Sequence, residues 1–120
     1  MTRVPSVTPA QLSALLDAGE RLVLVDVRTD EEYATFHARG AVHVPLDTFS
    51  WEELQRTIRA HGHPDSEPVY ILCQHGTRAS RACEQALREG ADRVHVVAGG
   101  TVAWAQEGLP VVQGPHPDGD

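Results

Sequence analysis

The run Val69-Tyr70-Ile71-Leu72-Cys73-Gln74-His75-Gly76-Thr77-Arg78 decides the fold. Its first four residues are apolar or aromatic without polar alternation, as in a strand buried on both faces of a parallel sheet. The chain must then turn sharply, because Ala79, Ala82, Cys83, Ala86 and Leu87 recur at helical spacing until Gly90 ends the pattern. Gly76 gives that turn a residue that reaches positive φ without strain. Strand, tight loop and helix in succession form the unit of an α/β sheet, and sites in such sheets lie where strands end and helices begin.

Outward from this run the pattern repeats. Leu22-Val23-Leu24-Val25-Asp26-Val27 and Val94-His95-Val96-Val97 read as two more buried strands. Three pairs carry the capping-box signature of a helix start: Thr8 with Gln11, Thr29 with Glu32, and Ser50 with Glu53. Val7 with Leu12, and Phe49 with Leu54, occupy the staple positions, and Pro9 suits a first helical turn. Helices are therefore predicted from Thr8 to Gly19, with a stripe of Leu12, Leu15 and Leu16, from Thr29 through Phe36, and from Ser50 to near Gly62. Residues 40–45 read as a loop leading into a short strand, and a short helix surrounds Trp104. Glu84 and Arg88 are spaced for an i,i+4 ion pair. Residues 113–120, rich in Gly and Pro, read as a disordered tail. Strands alternating with helices, with no repeat and no linker, predict one α/β domain with a largely parallel sheet over residues 1–112.

The 120 residues suit a single hydrophobic core, and 41% hydrophobic with 22% charged residues is a globular composition. No stretch approaches the about 18 apolar residues of a membrane span, and no leader pattern opens the chain. The formal charge of −7 disfavours nucleic acid or an anionic membrane as partner, because phosphate neutralisation needs clustered cations. All ten basic residues are arginine, which excludes Schiff-base chemistry on a lysine. Two cysteines are too few for a disulfide scaffold, so the expected setting is reducing and cytoplasmic, with a working thiol.

Cys73 is the candidate nucleophile. It closes a buried strand, and successive N–H groups in the following turn form an anion-accepting nest backed by the positive end of the next helix. Such surroundings, with Arg78 in the same turn, favour a thiolate. Cys83 lies on the apolar face of its helix and reads as a small buried hydrophobe. His75 could contact a donor or simply face solvent, and Arg78 could bind an anion or tie the loop to a carboxylate. Asp26, Arg28 and His37 read as loop-orienting residues, and Trp104 as core or pocket wall. His61 and His63 flank Gly62 without a nearby cysteine, so no metal site is expected.

Several stretches together resemble the rhodanese-type sulfurtransferases. Cys73-x-x-Gly76-x-Arg78 with Ala79-Ser80 resembles the family's active-site loop. Asp26-Val27-Arg28 and the acidic stretch after it, His37 through Leu46, Gly99-Gly100-x-x-x-Trp104, and Gly108-Leu109-Pro110-Val111 match further family motifs in order, over residues 5–112. Ala38-Arg39 and His43 depart from the pattern near the expected site entrance. The resemblance implies a single rhodanese-like domain with a five-stranded, mainly parallel sheet flanked by helices on both faces. It implies transfer of a sulfane sulfur from a small anionic donor such as thiosulfate to cyanide, a thiol or a protein, through a Cys73 persulfide. Gln74, His75, Gly76, Thr77 and Arg78 would form the persulfide-binding loop, and no metal or organic cofactor would be needed. A persulfide carrier serving a protein partner is the alternative. Phosphatases and arsenate reductases of related fold resemble Cys, five residues, Arg, whereas four residues separate Cys73 from Arg78.

Overall fold

The three apolar runs become the centre of the sheet. In the computed structural model, which describes residues 4–120, they are strands β2 (Val23–Asp26), β5 (Val69–Leu72) and β6 (Val94–Val97). Short strands β1 (Ser6–Val7) and β4 (Val42–His43) complete a five-stranded sheet of order β1-β6-β5-β2-β4, parallel at every pairing. Strands β2 and β5 are buried throughout, which is why they lack polar alternation.

Alternate residues of each strand feed two cores. Val23, Val25, Ile71 and Val96 pack with Leu54 and Ile58 of α3 (Trp51–Ala60) and with Ala79, Ala82, Cys83 and Ala86 of α4 (Thr77–Arg88). Leu24, Tyr70, Leu72 and Val97 pack on the other face with Leu12 of α1 (Pro9–Asp17) and Trp104 of α5 (Gly100–Gln106). Helices therefore cover both faces, as expected.

The capping boxes are formed by Thr8 with Gln11 and, at the start of α2 (Asp30–Thr35), by Thr29 with Glu32. At α3 only half of the box exists: the Ser50 hydroxyl accepts the Glu53 N–H, but the Glu53 carboxylate pairs with Arg56 instead. The expected Glu84–Arg88 ion pair is absent among the described residues. Leu16 is 40% exposed, so the apolar stripe of α1 narrows to Leu12 and the half-buried Leu15.

A second sheet went unforeseen. Strands β3 (His37–Ala38) and β7 (Val111–Val112) pair antiparallel, and two-residue strands are too short to show a period. The pairing lies just before residues 113–120, the segment expected to be a disordered tail. It leads the chain back along α2, where Gly114 N–H donates to Ala34 O at 2.8 Å and Gly40 N–H to Pro117 O at 2.8 Å. Buried His37 also has Nε2 at 3.0 Å from Pro117 O, so the segment gives that buried ring nitrogen its partner. Among the described residues no helix is long and apolar enough to cross a membrane.

Candidate functional site

From β2 the chain runs to β4 on one side, and from β5 it runs to β6 on the other. The sheet's topological switch point therefore falls between the carboxyl ends of β2 and β5. Cys73 follows β5 there, and Val27 N–H donates to Leu72 O at 2.9 Å, which sets Val27 and Arg28 beside the thiol loop.

The loop is shaped from three sides. Gly76 adopts φ +117°, ending the turn and capping α4, and its N–H points at Cys73 Sγ, 3.0 Å away. Below the loop, the first free N–H groups of α5 find acceptors in it: Thr101 N–H donates to Cys73 O at 2.7 Å and Val102 N–H to Gln74 O at 3.2 Å. Because the peptides are trans, carbonyls held toward α5 turn the N–H groups of Gln74 and His75 the opposite way. Gly100 makes this approach possible, since a Cβ there would lie 2.4 Å from Cys73 O.

The third side is electrostatic. Arg28, only 1% exposed, donates to both Asp26 carboxylate oxygens, to Phe36 O at 2.6 Å, and through Nη1 to Gln74 Oε1 at 3.1 Å. It bridges the switch point and fixes the loop's second residue, in line with the loop-orienting part expected of Asp26 and Arg28. Arg78 binds Glu32 through both terminal nitrogens, at 2.7 and 2.9 Å. Glu32 also accepts from Thr29 N–H and Oγ1, so one carboxylate completes the cap of α2 and anchors the first turn of α4. The Arg78 bonds hold the Glu32 carboxyl down at about 2, against the opposing pull of burial. The same partner raises the Arg78 guanidinium above its ordinary value. Of the two parts open to Arg78, tying the loop to a carboxylate is the one observed.

His75 and Thr77 are exposed at the loop tip, and Cys73 itself is buried at 1% exposure. Cys83 is buried in the α4 core, and desolvation, aided by the Glu84 charge, pushes its thiol up to about 11. His61 Nδ1–H donates to Thr57 O and His63 Nδ1 pairs with Glu67 Oε1, and among the described residues no metal-ligating cluster occurs. Trp104 lies in the core with its Nε1 donating to Pro110 O at 2.8 Å. Sequence reading missed Glu32 as the partner of Arg78, 46 residues away, and the direct contact of Gly100 with the loop. The Thr29–Glu32 box and the Gly-Gly pair were visible signals, but neither names a distant partner.

A parallel α/β domain with one strand-end thiol that accepts the Gly76 N–H at the start of a helix defines the class. The chain belongs to the rhodanese-like domain family, whose model matches residues 8–107. It is 33% identical over 109 residues to a protein of Allochromatium vinosum named sulfurtransferase, covering 91% of this chain and 95% of that one. It is 34% identical over 116 residues to the chloroplastic thiosulfate sulfurtransferase 16 of Arabidopsis thaliana, covering 91% and 94%. Among solved structures, a rhodanese-like domain protein of Staphylococcus aureus is similar at 32% identity and a TM-score of 0.69, covering 89% of this chain and 97% of that one.

Proposed function

We propose that the protein is a sulfurtransferase that carries a sulfane sulfur on Cys73. The Cys73 thiolate attacks the outer sulfur of an anionic donor such as thiosulfate. A new S–S bond forms, the donor's own S–S bond breaks, and sulfite leaves with the electron pair. The product is a Cys73 persulfide with its negative charge on the terminal sulfur. An acceptor nucleophile, cyanide or a thiolate, then attacks that sulfur, and the electron pair of the broken bond returns to Cys73 Sγ.

The observation that carries this reading is the Gly76 N–H aimed at Cys73 Sγ from the N-terminal end of α4. Amides and a helix terminus directed at a sulfur stabilise charge that grows there during transfer. The short loop and the engagement of Arg78 by Glu32 weigh against a phosphatase or arsenate reductase, which needs a free cation over a larger oxyanion. Because Cys73 is 1% exposed, a donor meets the sulfur only after its surroundings move.

Intact-mass measurement after incubation with thiosulfate tests the reading. The expected result is a gain of about 32 Da, one sulfur atom, on wild type and Cys83→Ser and none on Cys73→Ser. No gain on wild type, or an equal gain on Cys73→Ser, overturns it.

A further inference from the structure

Both nitrogens of the His37 ring face backbone carbonyl oxygens: Nδ1 lies 2.9 Å from Tyr33 O and Nε2 lies 3.0 Å from Pro117 O. A carbonyl oxygen only accepts, so each contact is a hydrogen bond only while that nitrogen carries a proton. Neutral imidazole has one N–H and meets one carbonyl; imidazolium has two and meets both. In the neutral ring the bare nitrogen turns its lone pair toward an oxygen, inside a side chain that is 0% exposed. The surroundings favour the positive form. Tyr33 O is one of the last carbonyls of α2, which have no N–H partner within the helix and form its negative end. The Tyr33 ring stacks on His37 at 3.8 Å and on His43 of β4 at 4.5 Å. Burial, together with the charges of Asp26 and of Asp118 in the C-terminal segment, pushes the Tyr33 hydroxyl up, which places both carboxylates close to the stack. Asp26 is committed to Arg28, and Asp118 has no arginine partner among the described residues. Helix α5 and strand β7, which also pack against β3, carry no titratable side chain.

We infer that His37 is a proton-operated latch on residues 113–120: as imidazolium it ties the end of α2 to Pro117, and on losing a proton it releases Pro117. The inference does not depend on the sulfur-transfer reading. Pro117 is the side that yields, because Tyr33 O lies only four residues away on the helix that leads into β3, whereas five of the eight residues 113–120 are exposed. Two further bonds close the segment beside the ring, Gly40 N–H to Pro117 O and Gly114 N–H to Ala34 O, both 2.8 Å long. They open together when the segment swings away. Closing takes up a proton, so by linkage the closed form is favoured in acid and is lost as pH rises. Histidine is the side chain whose charge changes across about pH 5 to 8, which sets the interval in which the latch works.

The test uses the full chain labelled with nitrogen-15, at about pH 5.5 and about pH 8.5. Ring-nitrogen spectra should show two N–H groups on His37 at the lower pH and one at the higher. Hydrogen-exchange protection factors, which remove the intrinsic pH dependence of exchange, report on the segment. Protection of the Gly40 and Gly114 amides, taken relative to buried Ile71 in β5, should fall about tenfold or more from the lower pH to the higher. His37→Gln keeps a side-chain N–H for Pro117 O at every pH, so its ratio should change less than about twofold. His116→Asn, within the segment itself, should keep the wild-type fall. One ring N–H on His37 at both pH values, or two at both, overturns the latch. So does a ratio indifferent to pH in wild type, an equal fall in His37→Gln, or its loss in His116→Asn. Should His37→Gln fold poorly, the wild-type ring spectra and protection factors together with His116→Asn decide.

Discussion

Two sulfhydryls ten residues apart in sequence sit in opposite surroundings. Cys73 ends a strand and accepts an N–H, whereas Cys83 is enclosed by Ala79, Ala82 and Ala86. Both placements were legible, because one position follows an apolar run and the other repeats at helical spacing. The raised Cys83 value sets a direction for stability. The unfolded chain ionises this thiol near its ordinary 9.0 while the folded chain holds it to about 11. The contribution is therefore intact below pH 9 and is lost as pH rises toward 11. Between pH 7 and 10.5, wild type should lose about 2 kcal/mol more than Cys83→Ala, as read from urea midpoints and slopes at both pH values. Equal losses in the two proteins would show that the thiol is not desolvated as described. In the native protein at pH 7, iodoacetamide should modify Cys73 ahead of Cys83, with peptide mapping to identify the site.

At the scale of elements, the loop is held by helix starts. The capping boxes of α1 and α2 were readable because both partners lie three residues apart, and the helix starts of α4 and α5 were readable from their glycines. What the helix starts touch was not readable, since the contact of Arg78 with Glu32 and that of Thr101 with Cys73 cross long stretches of chain. Glu32→Gln should destabilise the protein by about 1 kcal/mol at pH 7, a modest figure because both side chains of the pair are about one-third exposed. The native carboxyl sits near 2 against an ordinary 4.5. The stabilisation is therefore full above pH 4.5, declines as pH falls, and the two proteins should converge near pH 2 in denaturant titrations. Gly100→Ala tests the other contact. With φ +62° and a Cβ 2.4 Å from Cys73 O, it should lose at least about 2 kcal/mol and slow sulfur uptake about tenfold or more. Gly108→Ala is the control: its φ is +80°, but nothing lies within 4 Å, so about 1 kcal/mol and near-normal uptake are expected.

Over the whole molecule, the strand order places the thiol where connections diverge, and the sheet separates two cores that share its central strands. The fold class followed from alternating apolar runs and helical stripes. The edge pairings did not, because Ser6–Val7, His37–Ala38 and Val111–Val112 are each two residues long and take their partners from distant parts of the chain. Sharing of strands has a consequence for unfolding. Val23 and Val25 serve one core while Leu24 between them serves the other, and Ile71 and Leu72 divide in the same way. Neither face can lose its helices without baring strands whose burial on both sides holds the sheet together. The two tryptophans report on the two faces separately: Trp51 belongs to the α3–α4 core and Trp104 to the α1–α5 core. In Trp51→Phe the emission follows only the second core, and in Trp104→Phe only the first. Within each variant, the fluorescence transition in urea should coincide with the far-ultraviolet dichroism transition, as in a single cooperative unit. A fluorescence midpoint displaced from the dichroism midpoint by more than about 0.3 M, in either variant, would mean that one face melts first and that the shared strands do not couple the cores.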